Sequence, residues 1–287
     1  MDWASAGEPD RVARSPSPFL KKHLGGNANF VIANRAGASG EIGNAHLARA
    51  AADGYTIGVV NVPPLLFVPL TKKAQYDPKD LTLLARVVSD PTVIIGRKDG
   101  SYHSLKQVVD ALKAKPGSIS VGYNGVGTNG HVAMLQLQNA TGIQLNDIPF
   151  KGTSESKTAL YGAHIDLMFA SFTAIADADK EAVPIDILAQ FMEQRAPALK
   201  NVPTSREQGI DVVMPSDRGF AVPKGTPAEI RTRLERAIEA GMKDPEFLKV
   251  ASSFASVLSY APGTEWQKQL DAGMPALEAI ARKFKAE

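Results

Sequence analysis

Apolar runs of four to eight residues alternate along this chain with segments of helical period, and that alternation specifies an α/β protein with mainly parallel sheets. The runs at 29–34, 55–60, 92–96, 118–123, 143–148, 165–169 and 185–189 are expected as strands, with helices in the gaps. Helix boundaries are marked in several places. Ser104 stands where an N-cap is wanted before 105–114, and Lys115-Pro116-Gly117 follows as a breaker. Pro227 precedes 228–242, at a position where a missing N–H costs little. Ser15-Pro16 interrupts the first helix, and from Thr226 onward the chain reads as almost all helix.

With 287 residues the chain exceeds one ordinary compact core, so two domains are expected. Pro- and Gly-bearing connections at 97–100 and 223–227 bracket a central block of βα units. Lobe one is therefore placed at 1–97 plus 223–287 and lobe two at 98–222, with a two-strand hinge. Lys plus Arg number 32 against 30 Asp plus Glu, which lacks the basic footprint of a nucleic-acid binder. The absence of cysteine excludes disulfides, thiolate nucleophiles and Cys-based metal sites. The most apolar stretch, 55–70, is too short to span a bilayer and is broken by Pro63, Pro64 and Pro69. The first nine residues lack the basic start and apolar run of a secretory signal, so either a signal has been removed or this start lies inside a longer reading frame. The expectation is that upstream codons encode an apolar strand for lobe one, preceded by an export signal.

Three glycine-rich loops precede expected helices: Ala6-Gly7-Glu8-Pro9-Asp10, Ala36-Gly37-Ala38-Ser39-Gly40 and Gly125-Val126-Gly127-Thr128-Asn129-Gly130. Glycine lets a ligand approach the backbone, and a first helical turn carries N–H donors with no partner inside the helix, so such loops make anion sites. The plain alternative for each is an ordinary strand-to-helix turn. The third loop also spells G-x-G-x-x-G and is followed by Asp147, as in a dinucleotide fingerprint, although Asp147 runs on into Ile148-Pro149-Phe150-Lys151-Gly152 without an obvious strand end. Thr128 and His131 are three residues apart and can point the same way on a first turn. Thr128 reads as a ligand contact or as a cap, and His131 as a support beneath the loop. His23, His46, His103 and His164 lack metal-site spacing, and no metal is expected. Asp10 is expected to N-cap the first helix, and Asp166 reads most simply as an edge charge.

Asn34-Arg35-Ala36-Gly37-Ala38-Ser39-Gly40-Glu41-Ile42-Gly43 and Ala52-Asp53-Gly54-Tyr55-Thr56 resemble the N-R-P-G-A-G-G-x-I-G and P-D-G-Y-T segments of the Bug family, the TctC-like binding subunits of tripartite tricarboxylate transporters. Gly125-Val126-Gly127-Thr128-Asn129-Gly130-His131 is similar to that family's G-x-G-[ST]-x-x-H loop, and Ile148-Pro149-Phe150-Lys151-Gly152-Thr153 to its V-P-Y-K-G segment. Ile165-Asp166-Leu167-Met168-Phe169, Asn201-Val202-Pro203-Thr204 and Ala221-Val222-Pro223-Lys224-Gly225-Thr226-Pro227 resemble its later markers, in the family's order.

The resemblance implies a two-lobed periplasmic-binding-protein (Venus-flytrap) fold of α/β class, with three-layer lobes joined by a two-strand hinge. It implies periplasmic residence, no catalysis, no cofactor, a monomer, and capture of a small carboxylate between the lobes by backbone amides and ordered water, for delivery to transporter membrane subunits. By position, the ligand contacts it implies are Ala6, Gly7 and Asp10 in lobe one, and Gly125, Gly127, Thr128, Lys151, Gly152, Thr153 and Asp166 in lobe two, with His131 in support. The first loop departs from the family's A-G-G-x-x-D: Glu8 adds a negative charge and Pro9 removes an N–H donor. A sensory or orphan binding protein, a degenerate non-binding relative and a dinucleotide-dependent oxidoreductase are the competing readings.

Overall fold

The computed structural model describes residues 8–35, 37–175, 184–251 and 255–286. The chain divides into two units, Met1–Ser89 with Asp217–Glu287, and Asp90–Ser216. Among the described residues no helix is long and apolar enough to cross a membrane.

The first unit opens with α1 (Glu8–Arg14) and α2 (Ser17–Leu24), separated at Ser15-Pro16 as expected, then α3 (Glu41–Arg49), β1 (Gly58–Val62), α4 (Pro64–Thr71) and the start of the 17-residue β2 (Leu81–Arg97). Its later part holds β7 (Pro215–Pro223), α8 (Ala228–Met242), α9 (Pro245–Val250), β8 (Leu258–Pro262) and α10 (Gly263–Ala286). β7 lies between β1 and β2, and β8 also pairs with β2. Gly58 pairs with Ala221 and Val62 with Asp217 in one antiparallel ladder; Ala85 pairs with Pro262 in another. Val60, Phe67, Leu84, Val88, Phe247 and Trp266 are sealed from solvent between these elements. Packing is so close at Gly219 that a Cβ there would stand 2.1 Å from the Ala85 carbonyl oxygen and 2.5 Å from the Trp266 ring.

The second unit holds the rest of β2, α5 (Leu105–Ala114), β3 (Ser120–Tyr123), α6 (Asn129–Thr141), β4 (Asn146–Pro149), α7 (Thr153–Tyr161), β5 (Leu167–Ser171) and β6 (Ile185–Gln190). Its strands run in the order β2-β5-β3-β4, with β6 also against β2. α5 follows its sequence closely. Leu105, Val108, Val109 and Leu112 form a buried stripe, Ser104 Oγ accepts from the Gln107 N–H at 3.3 Å, and Gly117 ends the segment at a φ of +72°. Alternation along the strands separates two faces. Phe169 meets the first turn of α6, where Gly130 approaches it, whereas Met168 meets α7, whose Ser156 hydroxyl lies 3.4 Å from its sulfur. Helices thus cover both faces of the sheet.

Three strand expectations need correction. The segment 29–34 is not a strand: Val31 is 88% exposed, so burial does not hold it in a sheet. Two strands went unforeseen. β7 begins Pro-Ser-Asp-Arg, yet Ser216, Asp217 and Arg218 are buried, with Arg86 Nη1 donating to the Asp217 carboxylate at 3.3 Å. β8 breaks what read as an all-helical C-terminal region, its Leu-Ser-Tyr residues only partly buried. Nor are the sheets mainly parallel. Parallel pairing is found at β3–β4 and β3–β5, whereas β1–β7, β2–β8, β2–β5 and β2–β6 are antiparallel. Apolar runs report burial on both faces, which parallel strands ordinarily have and which antiparallel β2 shares here.

Candidate functional site

The chain leaves the carboxyl end of β3 at Asn124 and turns into α6. A bond from the Thr128 N–H to the Gly125 carbonyl (3.3 Å) closes the turn, with Gly125 at a φ of +113° and Gly127 at +80°, conformations that favour glycine. The third glycine serves packing. A Cβ on Gly130 would meet the Phe169 carbonyl oxygen at 3.1 Å and the Phe169 side chain at 3.2 Å. Asn129 fastens the first turn of α6 to the sheet by donating to Thr92 Oγ1 (2.7 Å) and Ser171 Oγ (3.2 Å), all three residues being buried. Sequence reading gave Asn129 no role, although an amide among glycines at a helix start was the available signal.

His131 lies beneath this turn at 1% exposure, its Nδ1 accepting the Gly127 N–H at 3.1 Å. Accepting that proton fixes the neutral tautomer protonated at Nε2. Its ring stacks on Tyr123 with centroids 4.8 Å apart, and the Tyr123 hydroxyl donates to Asp147 Oδ2 at 3.2 Å. Burial holds the His131 pKa down at about 4, against an opposing pull from the Asp147 charge. Burial, reinforced by Asp147, pushes the Tyr123 phenol up. Gly127's amide is thus already committed to His131.

Thr128 sits at the N-cap position of α6 without donating or accepting there as a cap. Its hydroxyl lies 2.7 Å from both Asn124 Oδ1 and the Gly125 carbonyl, and its single proton serves one of them at a time. The first-turn amides of α6 are left without a side-chain cap. A second loop runs alongside. Tyr123 pairs with Pro149 at the ends of β3 and β4, and Phe150 N–H donates to the Tyr123 carbonyl at 3.1 Å. A Cβ on Gly125 would stand 3.7 Å from the Phe150 carbonyl oxygen. Beyond Phe150, Lys151 N–H donates to Glu155 Oε2 at 3.2 Å, Gly152 occupies the N-cap position of α7, and Thr153 begins that helix. Gly125, Gly127, Thr128, Lys151, Gly152 and Thr153 are therefore gathered at the carboxyl ends of two adjacent parallel strands, the end at which open α/β sheets bind ligands.

Other expected residues lie elsewhere. Asp166 stands at the opposite end of β3, where its carboxylate accepts from Ser120 N–H (2.8 Å) and Ser120 Oγ (2.6 Å) and ties β5 to β3. In the first unit, Ala6 and Gly7 fall outside the described residues. Asp10 is the third residue of α1 rather than its N-cap; its buried carboxylate accepts from Arg14 Nε (2.9 Å) and Asn34 Nδ2 (2.9 Å). Pro9 and Glu8 start the helix, which moves the cap position upstream of Asp10. A third loop, unforeseen from sequence, follows β5: Asp90, fully buried on β2, accepts from both the Thr173 N–H (3.2 Å) and the Thr173 hydroxyl. A lone acid inside the apolar run 87–95 was its signal. Asp147, which a dinucleotide site would need at a strand's carboxyl end, is the second residue of β4.

Residues 12–273 match the model of the tripartite tricarboxylate transporter family receptors. A UPF0065 protein from the TAR-I ttuE-ttuC' intergenic region of Agrobacterium vitis is 31% identical over 99% of this chain and 79% of its own length. Among solved structures, a TctC solute-binding protein from Polaromonas aligns with a TM-score of 0.81 at 26% identity, covering 99% of this chain and 98% of the other. The periplasmic binding protein BugD aligns at 0.79 with 28% identity over 98% and 94%. More distantly, Rhodopseudomonas palustris MatC with bound malate shares the fold at 0.80 and 21% identity, over 98% of this chain and 97% of the other. The fold is the two-lobed α/β fold of these binding proteins, and the matched family is one of receptors rather than enzymes.

Proposed function

Since the chain belongs to the tripartite tricarboxylate transporter receptor family, we propose that it is a periplasmic solute-binding protein that captures a small carboxylate and presents it to transporter membrane subunits. One observation carries the ligand class. Two adjacent loops end parallel strands β3 and β4, and each leads into a helix whose first turn has no side-chain cap, so uncharged N–H donors converge at one edge of the second unit. Helix starts of this kind hold an anion without a buried cation. The bound malate of MatC supports the same class for this chain.

In this reading Gly125 and Gly127 shape the first loop, Thr128 and the opening amides of α6 face the carboxylate, and Lys151, Gly152 and Thr153 form the neighbouring wall. His131 supports through Gly127. In the first unit Asp10 holds the start of α1 to Asn34. The lobes are taken as 1–97 with 223–287, and 98–222. A thermal-shift screen across small mono- and dicarboxylates tests the proposal. A ligand at a hundred times its Kd stabilises the native state by about 2.7 kcal/mol, which raises the melting temperature by several degrees. No shift with any small carboxylate, alongside a clean cooperative melt, would favour a degenerate relative. A shift in a chain whose gene has no permease neighbour would favour a sensory role.

A further inference from the structure

We propose that this site selects carboxylates whose carbon chain is apolar close to the bound carboxyl group, and that Val126 is the residue that selects them. The inference rests on the receptor reading above and deepens it. Val126 is 46% exposed and, among the described residues of Asp90–Ser216, is the one exposed large hydrophobic side chain. It is held at the tip of the ligand loop between Gly125 at a φ of +113° and Gly127 at +80°. Those two conformations and the buried bond from Gly127 to His131 fix the course of the backbone at Val126.

Two polar groups of its own loop are engaged within the protein. The Thr128 hydroxyl is spent on Asn124 or Gly125, and the Gly127 amide on His131. A ligand hydroxyl laid against Val126 would lose its water and gain no partner there, whereas a methylene would be buried against a methyl. A second observation comes from the adjacent loop. Gly152 has a φ of −178°, which any residue adopts, and a Cβ there would meet nothing within 4 Å. Neither backbone conformation nor packing within the protein explains glycine at that point. Room for a ligand's carbon chain in the loop next to that of Val126 does.

The test is calorimetry on the full chain with two matched pairs of acids, succinate against tartrate and adipate against its tetrahydroxy analogue galactarate. Members of a pair share length and charge. The methylene member should bind about tenfold more tightly in at least one pair, the discrimination a site gives against a hydroxyl it cannot satisfy. Val126→Thr, nearly the same shape with a hydroxyl added, should shrink that ratio to about twofold, and since Val126 is exposed its melting temperature should stay at the wild-type value. Gly152→Val should weaken both members of the pair alike. Equal affinity for the two members in the wild-type protein, or a ratio untouched by Val126→Thr, overturns the inference and leaves the receptor reading standing. Failure of all four acids to bind, when another small carboxylate in the thermal-shift screen does, overturns the inference alone; failure of every carboxylate in that screen removes both.

Discussion

Replacing His131 by Asn gives a sharp test of the buried support beneath the ligand loop. The imidazole is 1% exposed, and burial lowers its pKa from 6.5 to about 4 in the folded protein. The unfolded chain therefore carries a proton on this ring that the folded chain refuses between pH 6.5 and about 4. Stability is complete above pH 6.5 and falls as the pH drops through that window, at about 1.4 kcal/mol per pH unit, for a total of about 3 kcal/mol from this one group. Below the window both states are protonated and the loss stops growing. Asparagine does not titrate, and its Oδ1 can accept the Gly127 N–H from close to where Nδ1 stands, so the variant should keep the loop and lose the pH dependence. Urea unfolding followed by circular dichroism between pH 7 and pH 4, with hydrogen exchange of the α6 amides to report on the second unit, would compare the two proteins at each pH. Other titrating groups cancel in the difference. Parallel stability curves for wild type and His131→Asn across the window would refute the reasoning, because they would mean that the folded protein accepts the proton as readily as the unfolded chain.

Thr128→Val should loosen the turn and weaken carboxylate binding by about 1 kcal/mol; an unchanged affinity in calorimetry would confine the hydroxyl's role to the turn. Asn129→Ala strands Thr92 Oγ1 and Ser171 Oγ in the core, and a loss of about 1–3 kcal/mol in denaturant unfolding is expected. Gly219→Ala forces a methyl against the Ala85 carbonyl and should cost about 3 kcal/mol or more, so a melting temperature within two degrees of wild type would contradict the close packing of β7 on β2.

The legible elements were those whose signal is local. α5 and α8 matched their expected spans because an apolar stripe and punctuating residues mark both ends. β7 was hidden because its opening residues are polar and buried. Arg86, arriving from a distant strand, donates to the buried Asp217, and pairing at that range leaves no trace in a sequence window. The glycines of the 125–130 loop were legible as a motif, and two of the three are explained by backbone angle. Their donors were not. The spacing of Thr128 and His131 lets both point one way, whereas the His131 ring turns to the Gly127 amide and the Thr128 hydroxyl to Asn124 or Gly125. Asp166 was placed by its neighbourhood in the chain, yet a strand has two ends, and Asp166 is at the one away from the loop. The acid at Asp90, overlooked in an apolar run, anchors a loop that only the β2–β5 register brings within reach.

The interrupted course of the first unit sets a timetable for synthesis. Residues 90–216 form a contiguous unit, and the ladders of β3, β4, β5 and β6 await no residue made later. The unit that begins the chain must wait. Val59 and Val60 have no ladder until Phe220 and Gly219 exist, and Leu84 and Ala85 await β8 and Trp266 from near the end. An early segment bearing Val60, Phe67 and Leu84 must therefore stay unburied while more than half the chain is made. Contacts of such long range close slowly and leave apolar surface exposed meanwhile. A chain cut before Asp217 would hold every residue of the second unit and lack β7 and β8, which complete the sheet of the first.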